Sequence, residues 1–142
     1  MMRPTKRPET PMCLSDIIRL SERHWLEENG QRCINGIGCR FNHEKDNVGC
    51  FVGIFLTHED AEKLDNHSDG SVIRAYHYND NTRKILKHYF DLSDNRVLTY
   101  LQLGQHLHDS IARDGNFTSR QELFGLIRMI QSWPRSLSSN NN

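Results

Sequence analysis

Cysteine and histidine carry most of the chemistry open to this 142-residue chain, with four of the first and eight of the second. Cys39 and Cys50 both lie on an expected hairpin within Cys39 to Leu56, and His108-Asp109 follows on a later segment. A thiol becomes a nucleophile when a nearby base raises its thiolate fraction, and the base in turn needs a group to orient it. That pattern describes a cysteine-dependent hydrolase or transferase using Cys50 or Cys39 with His108. Adjacent residues on a helix point about 100° apart, so Asp109 is poorly placed to orient His108. The plainer reading makes Cys50 a small buried apolar residue and His108 a core histidine with one satisfied hydrogen bond.

A metal is the second possibility. His24, Cys33, Cys39 and His43 have the spacing H-x8-C-x5-C-x3-H. Zinc takes four nitrogen or sulfur ligands tetrahedrally, and short spacings let one loop supply them. Gly38-Cys39-Arg40-Phe41-Asn42-His43 looks like the closing segment of a CCCH zinc finger, which would make this a zinc module binding RNA. Against it, His24 replaces the first cysteine and lies in a predicted helix with its own packing role. The expectation is therefore no cofactor, with zinc as the alternative.

The third possibility is a ligand pocket. His108 beside Gln105 and Asp109, facing a hairpin with Arg40, would set donors and acceptors in an apolar wall. Arg40 could pair a carboxylate or phosphate through two parallel hydrogen bonds, or could be an ordinary surface arginine.

The elements that must position these groups centre on Cys39 to Leu56. Cys39-Arg40-Phe41 alternates, Glu44 to Asn47 is turn-like, and Val48 to Leu56 is almost unbroken in apolar character. The spacing predicts an antiparallel β-hairpin whose second strand is apolar on both faces and central to the fold. Gly53 in that strand marks close approach of another backbone. Before the hairpin, Ser15 is the expected cap of a helix to about Asn29. After it, Thr57 caps a helix His58 to Leu64, with Asp60 in the capping box. Val72 to Tyr78 reads as a third strand or a helix start. Thr82 to Phe90 is an expected helix with Ile85, Leu86 and Tyr89 inward. Ser93 is the expected cap of a helix to about Arg113, with Val97, Tyr100, Leu101, Leu107, Ile111 and His108 in one arc. Thr118 opens the last helix. The expected class is α+β: an antiparallel hairpin, or three strands if Val72 to Tyr78 joins it, packed by four or five helices.

Length fits one domain able to bury a core unaided. Residues 1–13, with prolines and basic side chains, read as a flexible tail, 14–134 as the globular domain, and 135–142 as a disordered polar tail. Eighteen Lys and Arg balance eighteen Asp and Glu, so there is no overall basic field and nucleic acid is not the expected partner. No apolar run approaches the roughly 18 residues of a membrane span. No apolar segment follows the charged start to form a secretory signal. The expected place is a cytoplasm, with the cysteines as thiols.

Cys39-Arg40-Phe41, the polar turn, Gly49-Cys50-Phe51-Val52-Gly53, Leu56-Thr57-His58-Glu59-Asp60 and the later Gln105-His106-Leu107-His108-Asp109 carry a resemblance. Together they resemble a family of small uncharacterised phage and bacterial proteins. Its pattern runs C-x-Y-R, a Gly-containing turn, G-x-x-C-A-[VI]-G and, on a later helix, L-Q-x-[IL]-H-D. The chain departs from it at four places. Phe41 stands for the tyrosine, Asn42 for the arginine, Phe51 for the small residue after the second cysteine, and Gly104 for the leucine. The resemblance implies no activity. It implies a setting: a stand-alone accessory protein, in a host cytoplasm if phage-encoded, serving host takeover or defence evasion. The expected function is accordingly non-enzymatic binding of a host protein or a small ligand.

Overall fold

The computed structural model describes residues 3–28, 31–32, 48–67, 76–110 and 120–134. These form α1 (Leu14–Glu22), which runs into a π-helical turn (Arg23–Glu27), two short strands β1 (Gln31–Arg32) and β2 (Val48–Gly49), and a 3-10 turn (Gly53–Phe55). Then follow α2 (His58–His67), α3 (Asp80–Tyr89), α4 (Asn95–Ser110) and α5 (Arg120–Ser132). α2 packs on α3, and α4 on α5.

The described residues are overwhelmingly helical, and the α+β hairpin is overturned. β2 ends at Gly49 and pairs in parallel with β1, Gln31 opposite Val48 and Arg32 opposite Gly49. From Cys50 the chain turns, then coils into the 3-10 turn. The burial expected of this run is nevertheless real, since Cys50, Phe51, Val52, Ile54, Phe55 and Leu56 all lie in the core. An unbroken apolar run says that a segment is buried but not with which period, so it cannot separate strand from turn. The first expected strand, with Cys39, Arg40 and Phe41, lies outside the described residues. Val72 to Ala75 also lie outside them, and 76–78 form a helical turn rather than a strand.

A buried non-repetitive segment must satisfy its backbone without a ladder of its own. Here distant side chains do so. Val52 N–H donates to Gln105 Oε1 at 3.2 Å, and Gly53 N–H to Cys50 Sγ at 3.2 Å. The Arg3 guanidinium donates to the carbonyls of Gly53 at 2.6 Å and Leu56 at 3.3 Å. Two 3-10-type bonds, Phe55 N–H to Val52 O and Leu56 N–H to Gly53 O, complete the turn.

Arg3 introduces the second departure. Residues 3–13, read as a loose tail, lie along the core. Arg3 is buried. Arg7 grips Asp60 with two bonds of 2.8 and 2.9 Å. Met12 exchanges backbone bonds with Tyr89 O and Asp91 N. A basic, proline-bearing stretch looks solvated in sequence because its partners, Asp60 and three carbonyls, are more than forty residues away.

Helix ends follow local chemistry more closely. Thr57 Oγ1 caps α2 by accepting Asp60 N–H at 3.1 Å. Asn79 caps α3 through Thr82 N–H at 3.0 Å. α1 starts one residue before Ser15, with Cys13 at its cap position. Asp94 rather than Ser93 serves α4, accepting Arg96 N–H at 3.1 Å, while the Ser93 hydroxyl bonds Asp91. α1 turns Leu14, Ile17, Ile18 and Ser21 inward. No described helix is long and apolar enough to cross a membrane. Residues 135–142 lie outside the described residues.

Candidate functional site

The buried turn has two faces, and each gathers functional side chains. On the first, α4 presents Tyr100, Leu101, Gly104, Gln105 and His108, all buried. Phe51 lies directly over Gly104: a Cβ there would fall 2.1 Å from the Phe51 ring. The ring is stacked parallel to Trp25 at 6.3 Å between centroids and meets Tyr100 edge-on at 5.6 Å. Trp25 in turn touches His108 at 5.7 Å and His24 at 4.5 Å. The result is a dry aromatic seam in which Gln105 ties α4 to the turn through Val52 N–H.

Both histidines come from places that bury them. His108 shares the α4 arc with Val97 and Leu101, as its spacing predicts, and has no exposed surface. His24 lies in the π-helical turn that continues α1. Such one-turn widenings recur at functional sites. The His24 ring is fully buried, and neither nitrogen has a hydrogen-bond partner among the described residues. Burial, with the positive charge of Arg3 and the amino terminus adding to it, lowers its pKa to about 4, so the ring is neutral at pH 7. Burial likewise pushes the Tyr100 phenol up.

On the second face, the arm arches over the turn. Pro4, Lys6, Pro8 and Met12 from the arm, Leu20 from α1, and Ile54 and Phe55 from the turn enclose an open cleft of about 250 Å³. Its walls are apolar apart from the lysine. Beside it, Asp60 receives Arg7 and the Tyr89 hydroxyl, the latter at 2.5 Å. Arg7 is the larger cause holding the Asp60 carboxyl down at about 2, and burial opposes it. Tyr89, buried and donating to that carboxylate, is raised.

The structure thus brings together Cys50, Gln105, His108 and His24 around Phe51 and Trp25. Cys33, Cys39, Arg40 and His43 lie outside the described residues, as does the side chain of Asp109. Cys50 is 1% exposed, and its thiol accepts the Gly53 amide, which closes it to a substrate in this conformation. Among the described residues no group of three His, Cys, Asp or Glu side chains is arranged to hold a metal. Three features escaped the sequence reading. Gly104, a glycine inside a helix, is a recognisable signal of close approach. Arg3 and the Arg7–Asp60 pair gave none beyond their charge.

The chain matches no protein-family profile, no curated protein and no solved structure. The phage and host-interaction setting implied by the resemblance accordingly has no support from them.

Proposed function

We propose that this chain is a non-enzymatic binding protein that seats a small, mostly apolar molecule in the cleft beneath its N-terminal arm. The observation carrying this reading is the cleft itself, concave and apolar with Lys6 among its lining residues, as ligand sites commonly are. The aromatic seam on the opposite face is filled by its own side chains, and Cys50 there is enclosed. A small ligand therefore has room under the arm and none at the seam as it stands. The lysine favours a ligand whose polar end is anionic.

The test is titration with an environment-sensitive anionic dye, followed by its displacement with a medium-chain fatty acid. Saturable one-to-one binding, weakened at least tenfold by Leu20→Arg with the fold intact by circular dichroism, supports the reading. Absence of saturable binding, or binding indifferent to Leu20→Arg, removes it. A thiol reagent at pH 6 checks the enzymatic alternative: rapid labelling of one cysteine would favour a nucleophile over a binding site.

A further inference from the structure

His24 sits in the seam with no provision for carrying a charge there. Its ring has no exposed surface, and neither nitrogen has a hydrogen-bond partner among the described residues. A buried polar group without a partner costs free energy and is uncommon, and a buried cation without one costs far more. An apolar ring such as the neighbouring Trp25 would fill the space without either cost.

The groups around the ring add to the difficulty. From the arm, Arg3 brings a positive charge to bear on it, as does the amino terminus. On its own turn, Arg23 is drawn aside to Glu28 at 2.9 Å. Glu22 acts on the Tyr100 phenol. α4 contributes that phenol and, across Trp25, His108. The buried turn contributes the Cys50 thiol, which is engaged with the Gly53 amide. None of these groups bonds the ring. Trp25, whose ring centroid is 4.5 Å from that of His24, is in turn stacked on Phe51.

We propose that His24 is an acid trigger built into the seam: a proton taken up from solvent drives its ring out to water, and the Trp25–Phe51 stack that it backs opens with it. Phe51 lies two residues before Gly53, whose carbonyl accepts Arg3 at 2.6 Å. Opening of the seam therefore reaches the hold on the arm, and repulsion between Arg3 and the new imidazolium acts in the same direction. The ring titrates at about 4 in the folded chain against 6.5 for the free group. A histidine lowered in this way contributes its full stability above about pH 6.5, and that contribution is lost as pH falls towards 4. Asp60 responds below that window, towards 2, so the two acid responses separate.

The test uses full-length Trp133→Phe protein, in which Trp25 is the remaining tryptophan. Urea unfolding and acrylamide quenching are followed from pH 7 to pH 4 with a chelator present. The unfolding equilibrium constant should rise about tenfold for each pH unit below 6.5, the slope of one proton. Trp25 should become open to acrylamide over the same range while the helices persist by circular dichroism. His24→Phe in this background should remove both responses, and His24→Leu replaces it if the larger ring does not fold. His108→Gln, at the other side of Trp25, should keep both. An acid response unchanged by the His24 variants, or a parent protein without one between pH 6.5 and 4, overturns the proposal. If neither variant folds, carbon NMR of ring-labelled histidines decides. A ring that stays neutral until Trp25 becomes exposed supports the trigger, and eight rings that all titrate near pH 6.5 with Trp25 still shielded overturn it. No ligand enters the experiment, so its outcome is separate from dye binding at the cleft.

Discussion

The two faces of the buried turn are held by opposite means. Toward α4 the contact is dry: Phe51 over Gly104, Trp25 and Tyr100 against Phe51, and one hydrogen bond from Val52 to Gln105. Toward the arm it is ionic and directional, with Arg3 on two carbonyls and Arg7 on Asp60. Shape fit of the first kind is intolerant of added volume and insensitive to salt. Charge pairing of the second kind accepts changes of volume but responds to protonation. The difference suits a rigid seam that fixes the core and an arm that frames a cleft and can adjust around a ligand.

The sharpest way to break the seam is Gly104→Leu. The added side chain must enter the space of the Phe51 ring, which is itself packed on Trp25 and Tyr100. The expected loss is at or beyond the top of the roughly 1–3 kcal/mol usual for overpacking, read as a large fall in the urea midpoint. Two of the four departures of this chain from the resembled pattern, a large residue at 51 and no side chain at 104, are residues in contact. Phe51→Ala combined with Gly104→Leu should therefore recover much of the loss. A double variant as unstable as the sum of its single variants would show that the two sites are not exchanging volume.

Arg3→Met tests the other face. It keeps an apolar stem but leaves the Gly53 and Leu56 carbonyls without their charged donor. Unsatisfied buried acceptors of this kind cost about 2–3 kcal/mol together. Chain ends that are merely solvated tolerate such a change, so an unaltered melting temperature would return residues 3–13 to the status of a tail.

The Arg7–Asp60–Tyr89 cluster adds pH dependence to the same face. The Asp60 carboxyl titrates at about 2 in the folded chain against 3.8 for the free group. A depressed carboxyl contributes its stability above the unfolded pKa, and that contribution fades as pH falls from about 4 towards 2. Asp60→Asn should lower stability by about 1–2 kcal/mol near pH 7, a figure discounted because Arg7 is partly exposed. It should also flatten the loss between pH 4 and 2 relative to wild type. Equal acid sensitivity of the two proteins would move the cause to other carboxylates.

What the sequence made legible follows the same division. Burial and helix spacing are local signals, so the inward faces of α1, α3 and α4, the Thr57 cap and the burial of His108 could be read directly. The conformation of Cys50 to Leu56 could not. Its backbone is satisfied by Gln105 and Arg3, about fifty residues away in either direction, and nothing within the run distinguishes a turn from a strand once every residue is apolar. The arm was misread for the same reason: an arginine counts as surface until its carboxylate is located. At the candidate site, His24, Cys50, Gln105 and His108 were all named from the sequence. That the rings of Trp25, Phe51 and Tyr100 meet and unite them depends on long-range packing and could not be read.

The smallest expected effect separates the two histidines of the seam. His108 belongs to the regular α4 face and touches Trp25 edge-on, and Gln105, one turn earlier, carries the bond to Val52. His108→Gln keeps a polar end able to hydrogen-bond and roughly the same reach, so it should cost only about 1 kcal/mol, the scale of one buried hydrogen bond. The cleft lies on the opposite face of the turn, so dye affinity should be unchanged once folding is accounted for. A tenfold loss of dye binding with wild-type melting would instead place His108 in the binding site, and would mean that the seam opens to ligand and the two faces communicate through the turn.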